Sequence, residues 1–226
     1  MKRRNRLFVS IVISMLVPIV FGQSSLITNE TSQGPVQSTQ SAETDSYHVT
    51  TREAFWKALI AARVPGGIVW KRNCGNEEVK GQPAPSGSSL RATLNQIVKA
   101  DPQYAWYREN GAINLLPTNG EPDLLKVRIR EFRIGKVPNL NFALERLLAL
   151  PEVTKTAAEL KLNQGLRLGG LSSPGQDQVT LRLYRKNVTL REALNAIACA
   201  HGSAVWQYSE WHCDGKTEFA IEFLIE

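Results

Sequence analysis

The sequence predicts an α+β fold built as two small related modules, each a short sheet with two helices packed on one face. Three observations predict it. First, Ser89-Leu90-Arg91-Ala92-Thr93-Leu94-Asn95-Gln96-Ile97 aligns without a gap on Thr189-Leu190-Arg191-Glu192-Ala193-Leu194-Asn195-Ala196-Ile197. Five of the nine residues are identical at a constant offset of 100, and Ala100 with Ala200 and Trp106 with Trp206 continue the match. That is the signature of a duplicated unit. Second, Leu90, Leu94 and Ile97, like Leu190, Leu194 and Ile197, recur at i, i+4 and i+7, one apolar face of a helix. Ser89 and Thr189 precede these faces as side-chain caps for the free backbone N–H groups. Third, each helix is followed by two short runs joined by a turn dipeptide, Asn110-Gly111 or Asp214-Gly215. These residue types accept the positive φ that a two-residue hairpin requires.

The remaining elements follow in order. Thr51 is expected to cap a helix over Arg52 to Arg63, with Phe55, Leu59 and Ala62 inward. Gly66-Gly67 then leads into a strand over Ile68 to Lys71. The helix capped by Ser89 stops at Asp101-Pro102. Its hairpin runs from Tyr104–Arg108 to Ala112–Leu116. The turn-rich stretch Thr118 to Asp123 marks a junction, dividing a first module, 46–120, from a second, 121–226. In the second, a strand near Leu125 to Ile134 precedes a long helix starting near Asn139 and reaching about Leu162. Val179, Leu181 and Leu183 alternate as a strand before Val188. The helix capped by Thr189 stops at His201-Gly202. Ala204 to Trp211 and Thr217 to Glu226 form the last hairpin, with Phe219, Ile221, Phe223 and Ile225 on one buried face. Connections this short leave no room for long crossovers, which points to small α+β sandwiches with helices on one side of a short sheet.

The N-terminus sets the compartment. Lys2, Arg3, Arg4 and Arg6 precede an apolar run from Leu7 to Phe21. That run suits a signal peptide and falls short of the roughly 20 residues a spanning helix needs. Pro18 breaks the run near its end, and Val20 and Gly22 are small enough for a cleavage site. Residues 1–22 are therefore expected to be removed after about Gly22, an uncleaved anchor being the other reading. The segment takes four basic residues and no acid with it, so the formal charge falls from +6 to +2. A mature chain so near neutrality gives no electrostatic case for nucleic acid or anionic lipid. No membrane span is expected after cleavage. Residues 23–45 are rich in Ser, Thr, Gln and Gly and read as a disordered tether. Asn29-Glu30-Thr31 fits a glycosylation sequon, which has meaning only in a eukaryotic secretory pathway.

The second copy also resembles a known family. A strand, then Lys186-Asn187-Val188-Thr189-Leu190-Arg191-Glu192-Ala193-Leu194-Asn195-Ala196-Ile197, a short loop and a hairpin are similar to the short N-terminal domain shared by secretins and TonB-dependent receptors. Residues 179 to 208 carry the likeness well and residues 84 to 117 more weakly, about half of the mature chain. The resemblance implies small periplasmic modules that relay contacts between bacterial envelope proteins. No β-barrel or secretin ring sequence follows before Glu226, so a stand-alone pair of modules is expected. The shared positions are core leucines, a cap and a turn, which speak for a fold more than for a function.

Few residues invite chemistry. Of Cys74, Cys199 and Cys213, an exported protein is expected to pair two. Cys199 lies near the end of its helix and Cys213 in the hairpin expected beside it, so Cys199–Cys213 is the favoured pair and Cys74 is left free or intermolecular. The same region holds two thiols and two imidazoles, Cys199, His201, His212 and Cys213, a ligand set of the kind zinc takes, although Cys-x-His is not a familiar zinc spacing. A Cys–His nucleophile would need an orienting group and an oxyanion loop, neither of which is identifiable. There is no Gly-x-Ser-x-Gly, His-Glu-x-x-His or phosphate loop. Leu168-Gly169-Gly170-Leu171 reads as a turn and Glu77-Glu78 as solvated acids. Trp70, Trp106, Trp206 and Trp211 invite a stacking or carbohydrate-binding reading, but Trp106 and Trp206 occupy equivalent positions and read as core. Trp211, outside the repeat and near the last turn, is the candidate contact residue.

These readings converge on a non-enzymatic exported envelope protein, periplasmic or secreted, without cofactor, metal or catalytic residues. Its partner would be an unknown envelope protein or a second copy of itself, met through open sheet edges. The alternative is a small secreted enzyme or zinc-binding protein using Cys199, His201, His212 and Cys213.

Overall fold

In the computed structural model the protein is described over residues 49–74, 88–165 and 180–225. The signal segment, the tether, the sequon, Glu77-Glu78, the Leu168–Leu171 turn and Val179 lie outside the described residues. The fold is α+β, as its sequence predicts. Helix α1 (Thr51–Ala61) leads to strand β1 (Gly66–Asn73). Helix α2 (Leu90–Ala100) is followed by the hairpin β2 (Tyr104–Glu109) and β3 (Ala112–Pro117). A 3-10 turn (Asp123–Lys126) enters β4 (Arg128–Val137), then come α3 (Leu140–Leu148), α4 (Pro151–Glu159) and the short β5 (Leu162–Gln164). Strand β6 (Leu181–Thr189) runs directly into α5 (Leu190–His201), and β7 (Val205–Cys213) and β8 (Lys216–Leu224) close the fold.

Local chemistry explains most boundaries. Ser89 accepts from the Ala92 N–H at 3.3 Å. Thr189 accepts from Glu192 at 3.1 Å while Glu192 accepts from the Thr189 N–H at 2.6 Å, a complete capping box. At α1 the cap is Thr50, not Thr51. Thr51 is buried, and its hydroxyl donates to Asp101 Oδ2 at 2.9 Å, tying the start of α1 to the end of α2. The long helix expected from Asn139 is two helices, α3 and α4. Pro151 has no N–H to extend α3 and instead occupies the first turn of α4. Both hairpins turn through paired positive φ angles, at Asn110-Gly111 and Asp214-Gly215.

The two repeats share one sheet. Its six strands run in the order β2-β3-β1-β7-β8-β5, and β4 pairs with β6 in a separate two-stranded sheet. The joint between the copies is β1 against β7, parallel, with Gly66 to Asn73 in unbroken register with Val205 to His212. The boundary expected at 120/121 is therefore not a boundary between sheets. All the described residues belong to the compact unit Asp45–Glu226. Arg191 of α5 adds an ion pair to Glu109, at the end of β2, and another to Glu121 at 2.6 Å.

Helices cover both faces of this sheet rather than one. Adjacent strand residues point to opposite faces. Ile68 packs with Phe55, Leu59, Leu94, Ile97 and Leu115 under α1 and α2, whereas Val69 packs with Leu190, Leu194, Ile197, Trp206 and Tyr208 under α5. Close approach at the joint depends on Gly67. A Cβ there would lie 1.9 Å from the Trp206 ring, the residue registered opposite it.

Candidate functional site

Among the described residues, the C-terminal ends of β1 and β7 bring together a disulfide, a charged hydrogen-bonded cluster and a tryptophan pair. Because the two strands are parallel and in register, the residues that follow them meet. Cys74, just after β1, and Cys213, the last residue of β7, form a disulfide with a Cα–Cα distance of 5.1 Å across a sequence separation of 139. This corrects the expected Cys199–Cys213 pair; Cys199 is the free thiol. The physical reason is strand direction. Cys199 lies on α5 with its sulfur 3.7 Å from the Asn110 carbonyl, beside the turn that enters β3. That end of the sheet holds Ile113, Gly66 and Val205 in adjacent register. Cys213 is eight residues further along β7, about 25 Å away at roughly 3.3 Å per residue. The same separation divides the candidate zinc set, placing Cys199 and His201 at one end and His212 and Cys213 at the other, with the Cys213 sulfur committed to the disulfide. Burial pushes the Cys199 thiol above its ordinary pKa, with Arg185 opposing.

On one face, Tyr208, Glu210 and His212 follow one another at every second residue of β7. The Tyr208 hydroxyl donates to Glu210 Oε2 at 2.5 Å, and His212 Nε2–H donates to Glu210 Oε1 at 2.6 Å. Lys71, directly across on β1, lies 3.3 Å from the same oxygen. His212 Nδ1 meets the Thr217 hydroxyl of β8 at 3.4 Å. Burial alone would raise the Glu210 pKa. The hydrogen bonds from Tyr208 and His212, with the Lys71 charge, outweigh it and hold the carboxyl below its ordinary value. Tyr208 is pushed up by burial and by its bond to that carboxylate. Every group in this cluster has a partner, so it reads as a latch across β1, β7 and β8.

The other face is more open. Trp211 and Trp70 sit diagonally on β7 and β1 with ring centroids 6.1 Å apart and planes at 88°. The Arg52 guanidinium from α1 lies 4.9 Å from the Trp70 ring centroid, and Arg72 lies 5.6 Å from it. Both indoles are half-buried. Beneath them Gln207 donates to Ser209 at 3.1 Å and to Glu222 at 3.0 Å. Burial raises the Glu222 pKa, with Arg52 opposing. The structure thus gives Trp211, the contact residue expected from sequence, an aromatic neighbour in Trp70, whose own ring is flanked by two guanidinium groups. Sequence reasoning reaches Trp70 only as one of four tryptophans that invite a stacking reading and misses Arg52 and Arg72, because the parallel joint that assembles them leaves no local signal.

The core position expected for both Trp106 and Trp206 holds only for Trp206, which is fully buried, while Trp106 is half-buried; the two nevertheless make the same bond. Trp206 donates its indole N–H to Asn195 at 2.7 Å, and Trp106 donates to Asn95 at 3.0 Å. The signal is present in the sequence, since both Asn–Trp pairs match at the offset of 100.

Comparison with family models, curated proteins and solved structures finds no match to this chain. The disulfide fits an extracellular or periplasmic setting. Among the described residues, no helix is long and apolar enough to cross a membrane.

Proposed function

We propose that this is an exported, non-enzymatic interaction protein of the bacterial envelope, which holds a partner protein against the stapled end of its sheet. The observation that carries the reading is the half-buried Trp70–Trp211 pair flanked by Arg52 and Arg72. Tryptophan and arginine are the residues most enriched where protein interfaces concentrate their binding energy. The disulfide fixes the two strand ends that present them, lowering the ordering cost of binding. The basic, apolar N-terminus supports export, and the likeness of residues 179–208 to the envelope domains of secretins and TonB-dependent receptors supports a relay role. Neighbouring titratable groups are engaged with one another, which favours binding over proton transfer.

The test is cross-linking in envelope extracts of the source cell, with the wild-type chain and Trp211→Ala as baits. A discrete cross-linked partner, diminished about tenfold or more by the substitution, is expected. A chain that remains monomeric and captures the same proteins with or without Trp211 would overturn the reading.

A further inference from the structure

The outer edge of β2 is the counterpart of an edge that is already filled inside this protein. By the offset of 100, β2 corresponds to β7, with Trp106 matching Trp206 and Asn95 matching Asn195. The edge of β7 away from its hairpin partner receives β1 as a parallel strand. Among the described residues, the same edge of β2 has no strand beside it.

The backbone of β2 is set up for such an addition. The Thr118 N–H donates to the Gln103 carbonyl at 2.8 Å, so Gln103 and Thr118 form a hydrogen-bonded pair of the β2–β3 ladder. Such pairs alternate with non-hydrogen-bonded ones. Trp106 opposite Leu115 and Arg108 opposite Ile113 therefore fall in the second class, and their N–H and C=O groups point away from β3. The same logic holds where the edge is filled: Ile113 turns its N–H outward to Pro65, and Gly66 donates to Ala204 at 3.2 Å.

The tryptophans report the difference between a filled and an open edge. Trp206, whose ring lies against Gly67 of the added strand, is fully buried. Trp106 is only half-buried, although its indole is held by the same asparagine bond at nearly the same length. Beside it Tyr107 is 52% exposed, and the edge carries neither proline nor lysine to discourage pairing.

We infer that β2 binds an extended segment of a partner protein as a parallel strand, with a glycine opposite Trp106 and β-branched apolar residues after it. The glycine follows from the internal joint, where any Cβ at Gly67 would enter the Trp206 ring. The apolar residues follow from Ile68 and Val69, which continue β1 beyond it. This inference rests on the interaction-protein reading and names a second contact, apart from Trp211.

The probe is a synthetic peptide of the chain's own β1, residues 65–73 with blocked ends, added to the intact full-length protein. Hydrogen exchange by NMR is expected to show protection of the Trp106 and Arg108 amides, with no change at β7. The peptide carrying Gly67→Leu should bind at least tenfold more weakly. Arg108→Pro in the protein should weaken binding similarly, because it removes an outward N–H while leaving the β2–β3 ladder its bonds; unchanged circular dichroism would show that the variant folds. Absent protection, or equal binding of the leucine peptide, would overturn the inference. So would concentration-dependent self-association of the wild-type chain that Arg108→Pro abolishes, since the occupant would then be a second copy. Trp211→Ala is expected to leave peptide binding unchanged. Peptide failure with intact capture through Trp211 would sink this edge and spare the general reading, and the converse would separate them the other way.

Discussion

The duplicated Asn–Trp bond provides a controlled measurement of what burial adds to a hydrogen bond. Asn195 is 1% exposed and Trp206 fully buried, whereas the Asn95–Trp106 bond is exposed. Replacing Asn195 by Ala strands the Trp206 N–H away from water, which costs about 1–3 kcal/mol. A partial offset is built in, because the Asn195 Nδ2 atom is itself buried without a partner among the described residues and disappears with the substitution. The expected net loss is about 1–2 kcal/mol. Asn95→Ala should cost only a few tenths to about 1 kcal/mol, since water can take the place of the lost acceptor. Urea unfolding monitored by tryptophan fluorescence reads the difference. At roughly 1–3 kcal/mol per molar denaturant, Asn195→Ala should lower the midpoint by about 0.3–2 M at constant slope. A double-mutant cycle with Trp206→Phe should return a coupling energy of at least about 0.5 kcal/mol. Equal losses at the two positions, or a larger loss at Asn95, would refute the argument that burial sets the value.

Two other outcomes are expected. Peptide mapping without reductant should recover Cys74 linked to Cys213 and Cys199 as a thiol; reduction should then cost up to about 5 kcal/mol, the chain-entropy value for so long a loop, and recovery of a Cys199–Cys213 peptide would contradict the strand register. The buried Glu210 and the half-buried Glu222 should titrate with opposite signs. Glu210 has a lowered pKa, so the stability it contributes is present above its unfolded value and is lost as pH falls through the lower folded value. Glu222 has a raised pKa, so it costs stability above its folded value and ceases to do so as pH falls below its unfolded value. At neutral pH, thermal melts should show Glu210→Gln destabilised and Glu222→Gln unchanged or stabilised. The same sign for both would count against the assigned environments.

What can be read from sequence is what is local. The caps at Ser89 and Thr189, the two hairpin turns and the apolar faces of α2 and α5 are each determined within a few residues, and the structure has them. The break at Pro151 is equally local, but the long apolar period that runs across it masks it. The joint of β1 with β7 cannot be read, because a parallel pairing between segments so far apart has no turn to fix its register. Everything assembled by that joint is hidden with it: the Cys74–Cys213 bond, Lys71 against Glu210, and Trp70 beside Trp211.

The direction of that joint also explains why helices cover both faces. Strand β1 is parallel to β3 and to β7, so β7 runs opposite to its counterpart β2, which is antiparallel to β3. Trp106 shares a face with Leu115 and Ile68, whereas Trp206 opposes Gly67 on the other face. Reversed direction and reversed face together mean that the second copy is turned by a half rotation about an axis crossing the strands. Each copy keeps the helix that carries its tryptophan-binding asparagine, α2 or α5, on its own side, and the shared sheet acquires a layer on each. A rotation of this kind keeps the left-to-right order of strands, as β2-β3-β1 followed by β7-β8-β5 displays. It therefore consumes one edge of each copy and leaves one. The edge left on the first copy is β2, the strand whose tryptophan is held ready and only half covered.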